Sequence, residues 1–107
     1  MPFAKQVTRD GAGPRPRDAC MVRVDYDGFL ADGQKMDSTR DKREPLAFRL
    51  GRRGVVRGFQ EAIMSMRVGE RALVAVPPHA AYRERGVPNK VPPHTALVFD
   101  VELLECW

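Results

Sequence analysis

VVRGFQEAIMSMRVG, residues 55–69, is the stretch that decides the fold. Val56, Phe59, Ile63 and Met66 recur at spacings of three and four, with Ala62 beside them, which is the period of one face of an α-helix. Gly58 near the start and Gly69 after the end bracket a short helix, and Gly69 is expected to take the left-handed position that closes it.

Outward from this helix, every patterned segment repeats with a period of two. In MVRVDYDGFL (21–30), Val22, Val24 and Tyr26 share one face, and Arg23, Asp25 and Asp27 the other, as in a half-buried antiparallel strand. Asp32-Gly33 then supplies turn chemistry, because glycine tolerates the positive φ of a tight turn. Leu46, Phe48 and Leu50 alternate with Ala47 and Arg49. Beyond the helix, Ala72, Val74 and Val76 share a face of ERALVAV (70–76), with Leu73 making the other face less polar. The strongest strand is ALVFDVELL (96–104), where Leu97, Phe99, Val101 and Leu103 oppose Val98, Asp100 and Glu102. One short helix among antiparallel strands is an α+β domain whose helix covers one face of the sheet. With 107 residues there is material for one core, so residues 1–107 are read as a single domain.

Charge narrows the function. Eighteen Lys and Arg against fourteen Asp and Glu leave +4, a mixed balance that suits a soluble domain with a basic patch. The patch is Arg40, Lys42, Arg43, Arg49, Arg52, Arg53 and Arg57, opposed by Asp41 and Glu44, while Asp100, Glu102 and Glu105 make the C-terminal end acidic. No aromatic residues for base stacking interleave the basic window, and Phe48 points inward, so nucleic acid is not an expected partner. No stretch approaches the ~18 apolar residues of a membrane span. The first residues lack the apolar core of a signal peptide, and a cytoplasmic location is expected. Cys20 and Cys106 stand near opposite ends of the chain, form no metal-type cluster and are expected as reduced thiols. Nothing points to an obligate oligomer, and a monomer is expected.

Most enzymatic signatures are missing from the sequence: no P-loop, no GxGxxG after a strand, no HExxH, no paired CxxC. His79 and His94 each follow a proline in PPHAAYRERGVPNKVPPHT (77–95), and read as solvated loop histidines. That segment holds five of the nine prolines and no periodicity, and long loops of this kind tend to carry function. Taken singly, Tyr26, Phe59 and Phe99 read as core, Asp37-Ser38-Thr39 as a turn, and Tyr82 as a loop anchor.

Taken together, the residues resemble a known family. VDYDGFLADGQKMDSTRDKREPLAFRLG (24–51), VVRGFQEAIMSMRVGERA (55–72) and PHAAYRERGVPNKVPPHTALVFDVELL (78–104) are similar in order and spacing to the FKBP family, the immunophilins that bind tacrolimus and rapamycin. The resemblance is to its small single-domain cytosolic members and runs from VTRDGAG (7–13) to VELL (101–104). It implies an antiparallel sheet of five or six strands wrapped around one short helix. It also implies peptidyl-prolyl cis–trans isomerase activity with no metal and no cofactor. The barrier in an Xaa-Pro bond is ~18–20 kcal/mol, and no covalent step is needed to lower it. Twisting the amide removes its resonance and shrinks its dipole, so an apolar cavity favours the twisted state.

The same resemblance assigns roles. Tyr26 and Phe99 become pocket walls, with Val55 and Val56 a further wall and the Val56 N–H a donor to a substrate carbonyl. Phe59 becomes the floor, Asp37 and the Tyr82 hydroxyl the side-chain hydrogen-bond partners, and Val91 a flank of the mouth. Asp37, Tyr82, Phe99 and Tyr26 carry the catalytic role. Proline-containing peptides and proteins, and macrolides of the tacrolimus and rapamycin type, are the implied ligands. Lys42, Val87 and Lys90 would form the rim that meets calcineurin or the TOR kinase in drug-bridged complexes. Five positions depart from the family pattern. Phe59 replaces a usual Trp, Met36 and Leu46 replace usual Phe, Arg83 replaces a glycine after the tyrosine, and Lys90 stands where single-domain members often have an apolar residue. The first three keep the site apolar while reducing its aromatic area. They motivate an alternative reading, a ligand- or partner-binding module with little turnover.

Overall fold

The computed structural model describes residues 3–52, 55–81, 92 and 94–107. Among them, six strands form one antiparallel sheet: β1 (Ala4–Arg9), β2 (Met21–Leu30), β3 (Lys35–Ser38), β4 (Leu46–Arg49), β5 (Arg71–Val76) and β6 (Leu97–Cys106). The order is β1-β5-β6-β2-β3, with β4 also on β2. β2 therefore shares one edge between two partners. Met21–Val24 pair with β4, and Asp27–Phe29 pair with β3. Its other edge runs along the whole of β6. The chain passes between β3 and β4 through a short helix, α1 (Thr39–Lys42).

The expected alternation sets which face is buried. Val22, Val24, Val74, Val76, Val101 and Leu103 are fully enclosed on the inner face, and Phe48 and Leu97 join them. Helix α2 (Arg57–Met64) lays Phe59, Ala62 and Ile63 on that face, which is why its apolar residues recur with a helical period. The α+β reading and the antiparallel sheet with one covering helix thus agree with the observed fold.

Three details differ from expectation. The helix ends at Met64 with Ser65 as its cap in right-handed geometry, so Gly69 does not close it. Gly69 does take φ +94, but in the turn that feeds β5, where its N–H donates to the Leu103 carbonyl at 2.8 Å. Met66 is buried although it lies beyond the helix. Strand β1 has no clear alternation and is mostly exposed, and the sequence pattern does not announce it. It forms because β5 offers an edge and because side chains fasten it there. Lys5 Nζ donates to Glu70 Oε2 at 2.8 Å and to the Ser65 carbonyl at 3.2 Å, and Thr8 Oγ1 donates to the Arg71 carbonyl at 3.0 Å.

Within residues 77–95, Pro78–Ala80 form a single 3-10 turn. Both histidines of that segment are exposed, as expected. Residues 82–91 and 93 lie outside the described residues.

Candidate active site

Aromatic residues of β2, β6 and α2 converge beneath the paired strands β2 and β6. Tyr26 comes from β2, Phe59 from α2 and Phe99 from β6. The Phe59 and Phe99 ring centroids are 4.6 Å apart, and Tyr26 stands edge-on to them at 5.2 and 5.9 Å. Phe59 and Phe99 are each 3% exposed, and Tyr26 is half-buried. Edge-to-face packing of this kind fixes ring orientation as well as burying area.

Gly28 belongs to the same end of β2 and was not singled out from the sequence. A Cβ there would come within 3.1 Å of Met36 Cε and 3.2 Å of Phe99 Cε1. Its requirement is space rather than an unusual φ. The signal was legible: in the run Val22, Val24, Tyr26, Gly28, Leu30 the inward face is apolar at every position but one.

The polar side of the site is built on Asp37. Tyr26 donates its hydroxyl to Asp37 Oδ2 at 2.6 Å, while Lys42 Nζ and the Ser38 N–H both donate to Oδ1 at 2.9 Å. Burial alone would raise the Asp37 carboxyl. The Tyr26 hydroxyl, the Lys42 ammonium and the Ser38 N–H outweigh it and hold the group below the usual carboxylate range. Asp37-Ser38-Thr39 is therefore more than a turn. Ser38 caps α1 by accepting from the Asp41 N–H, and Thr39 Oγ1 accepts from the Tyr26 N–H at 2.8 Å and donates to Asp25 at 2.9 Å. Lys42, expected on the partner-facing rim, is exposed and turned onto Asp37.

Behind this group lies a second polar layer. Arg40 Nη1 donates to Asp27 Oδ2 at 2.8 Å and to the Asp100 carbonyl at 2.9 Å. Arg71 holds the Asp100 carboxylate with two hydrogen bonds of 2.9 Å. Burial would raise Asp27, but the Ser38 hydroxyl, Arg40 and Lys35 bring it down, and Arg71 first of all lowers Asp100. Of the basic window, Arg40 is drawn into this layer while Lys42, Arg43, Arg49, Arg52 and Arg57 are exposed, and the acidic C-terminal end is paired as Arg71–Asp100, Arg9–Glu102 and Arg23–Glu105.

Val55 is half-buried and Val56 buried, immediately ahead of α2. Among the described residues, nothing accepts from the Val56 N–H. Their segment is held by Gln60, a residue that sequence reading passed over. The Gln60 carboxamide accepts from the Gly51 N–H at 2.6 Å and donates to the Arg52 and Val55 carbonyls at 2.8 and 3.0 Å. Gln60 is a polar residue within the apolar helical repeat, and that interruption was its only trace in the sequence. Met36 and Leu46 are half-buried and pack against the core. Tyr82, Arg83, Val87, Lys90 and Val91 lie outside the described residues. Among the described residues, no group of three or more His, Cys, Asp or Glu is arranged to hold a metal ion.

Three packed aromatic rings, one of them hydrogen-bonded to an anchored carboxylate, thus stand together on a sheet covered by one helix. Comparison with known proteins names the class. The family model described as FKBP-type peptidyl-prolyl cis-trans isomerase matches residues 13–104. The chain is 43% identical over 90 residues to peptidyl-prolyl cis-trans isomerase Fkbp12 of Drosophila melanogaster, covering 84% of this chain and 83% of that one. It is 42% identical over 100 residues to the FKBP-type peptidyl-prolyl cis-trans isomerase FkpA of Escherichia coli strain K12, covering 94% of this chain and 36% of that relative. Among solved structures, the crystal structure of FkpA from Escherichia coli superposes with a TM-score of 0.89 at 40% identity, covering 97% of this chain and 47% of the other. The N-terminal domain of FKBP42 from Arabidopsis thaliana superposes at 0.93 with 28% identity, covering 98% and 86%. The chain belongs to the family of FKBP-type peptidyl-prolyl cis-trans isomerases, and its enzymatic class is that of a peptidyl-prolyl cis-trans isomerase. No helix among the described residues is long and apolar enough to cross a membrane.

Proposed function

We propose that the Tyr26, Phe59 and Phe99 cluster takes the prolyl ring of an Xaa-Pro segment and lowers the barrier to its rotation. Residues 1–107 act as a single domain in this reading, working in the cytoplasm as a monomer. The observation that carries it is the pairing of a buried aromatic cluster with an Asp37 carboxylate held by the Tyr26 hydroxyl at 2.6 Å. Phe59 is the floor, Tyr26 and Phe99 the walls, and Met36, Leu46, Val55 and Val56 complete the apolar lining. A planar amide entering such a site loses water, and the less polar twisted amide loses less by the transfer. The Val56 N–H and the Tyr82 hydroxyl hold the flanking carbonyls, Asp37 orients the polar edge, and Val91 flanks the mouth. Gln60 keeps the Val55–Val56 backbone in place.

Macrolides of the tacrolimus and rapamycin type fit the same lining. In complexes bridged by such a drug, Lys42, Val87 and Lys90 form the rim offered to calcineurin or the TOR kinase. Lys42 would meet such a partner only by leaving Asp37, so recruitment and ligand geometry compete at that residue.

The test is isomerisation of a short Xaa-Pro peptide, with and without rapamycin, alongside a direct binding titration. Turnover blocked by the drug is the expected result. Drug binding at background turnover would favour the binding-module reading, and neither binding nor turnover would overturn the assignment of the site.

A further inference from the structure

The sheet brings together two residues that are far apart in sequence. Cys20 immediately precedes β2, and Cys106 ends β6. Val22 stands opposite Cys106, and Met21 and Trp107 exchange two backbone hydrogen bonds of 2.9 Å, so the pairing of the two strands continues to Trp107. Side chains alternate along a strand, so Cys20, Val22 and Cys106 face the same side, and the two cysteines are diagonal neighbours. Both are half-buried and pack against the edge of the core. With Pro14, Arg15, Arg17 and Trp107 they line one cavity of about 290 Å³. The Cys106 thiol is pushed up, by burial first and then by the nearby Cys20, while Arg17 pulls the other way. The three groups are thus within electrostatic reach of one another.

Spacing decides what such a pair can hold. Diagonal cross-strand neighbours stand ~7–8 Å apart at Cα. An unstrained disulfide needs ~4.4–6.8 Å. A bridging ion relaxes that demand, because two metal–sulfur bonds of ~2.3 Å let the sulfurs stand as much as ~4.6 Å apart. Among the described residues no third His, Cys, Asp or Glu completes a cluster, which disfavours ions that require four ligands. Two thiolates and nothing else suit a soft monovalent ion. The resulting complex carries one negative charge, and the Arg15 and Arg17 guanidiniums at the cavity rim offset it.

We propose that Cys20 and Cys106 form a two-thiolate site for a soft, low-coordinate monovalent metal ion of the Cu(I) type. Binding involves no electron transfer; each thiol releases its proton to solvent as its sulfur takes the ion. The site stands on the Cys20 end of β2, and its test is independent of isomerisation.

The experiment titrates the full chain, under anaerobic conditions, with monovalent copper held by a coloured competing chelator. Chelator absorbance reports transfer, and fluorescence of Trp107, the single tryptophan, reports the location. The expected result is one ion drawn per chain with quenching of Trp107. Cys20→Ser and Cys106→Ser should each abolish the transfer while leaving peptide isomerisation unchanged. Arg17→Gln should weaken binding roughly 10-fold, as removal of an outer partner of a metal site does. Failure to draw copper from the chelator, or an unchanged stoichiometry in the double cysteine variant, would overturn the proposal. So would ready closure of a Cys20–Cys106 disulfide by oxidised glutathione, since the spacing argument excludes it.

Discussion

The two faces of the β2 end of the sheet are held by different physics. On the inner face, Tyr26, Phe59 and Phe99 are kept in place by ring packing at 4.6–5.9 Å and by burial. On the outer face and at the rim, Asp27, Asp37, Asp100, Arg40, Arg71 and Lys42 are kept in place by charge-assisted hydrogen bonds of 2.8–2.9 Å. The ring packing itself carries no charge, and its one link to a titrating group is the Tyr26 hydroxyl on Asp37. The polar layer responds to pH and salt, because its carboxyls titrate and its outermost pair is exposed. In the proposed reading, the aromatic cluster serves the fold and the site at once by burial, whereas the polar layer contributes through charges that titrate.

That division can be broken by experiment, starting from the floor. Phe59→Ala should cost ~3–5 kcal/mol of stability in urea unfolding, the usual range for a buried aromatic, and abolish turnover with it. Preserved stability would mean that Phe59 is not part of the core. Gly28→Ala should overpack the gap between Met36 and Phe99, at ~1–3 kcal/mol, with KM rising more than kcat falls. The Met36 side chain can shift; the Phe99 ring is braced by two others. An unchanged KM would show that substrate does not approach Gly28.

At the rim the expected effects are smaller and fall on activity. Asp37→Val removes the acceptor of the Tyr26 hydroxyl and of Lys42. A loss of ~10-fold in kcat/KM, equivalent to ~1.4 kcal/mol, should come with a much smaller change in unfolding free energy than Phe59→Ala gives. Wild-type turnover would remove Asp37 from the site.

The pH dependence follows from the same carboxyls. Asp27, Asp37 and Asp100 all titrate below the ordinary 3.8 in the folded chain. Their stabilisation is therefore fully present above the unfolded-state value and is lost as pH falls from there through the folded values. Stability should hold from neutral pH down to about 5 and decline below about 4, while turnover stays flat between pH 6 and 8. A bell-shaped rate profile in that range would argue for an acid or base in the mechanism. Lys42→Gln should have the smallest effect, a loss of ligand affinity at low salt that vanishes at high salt, because the ion pair with Asp37 is exposed on the lysine side.

Much of this molecule is local and was legible in the chain. The period of two marked the inward faces of β2, β4, β5 and β6, and the period of three to four marked α2, because burying one face of an element leaves its mark on neighbouring residues. Tyr26, Phe59 and Phe99 could be placed on inward faces for the same reason. Their convergence was available only through the resemblance to a known family, and the structure reports it as distances. Other features had no local trace. β1 is a strand because β5 presents an edge to it, Lys42 meets Asp37 because α1 turns it back, and Gly69 serves the turn into β5 rather than the helix.

Cys20 and Cys106 are the extreme case, near opposite ends of the chain yet lining one cavity through the β2–β6 register. Periodicity reports which way a side chain faces, and the sequence determined that by itself. Which distant residue it faces depends on register and strand order, and only the tertiary structure decided those.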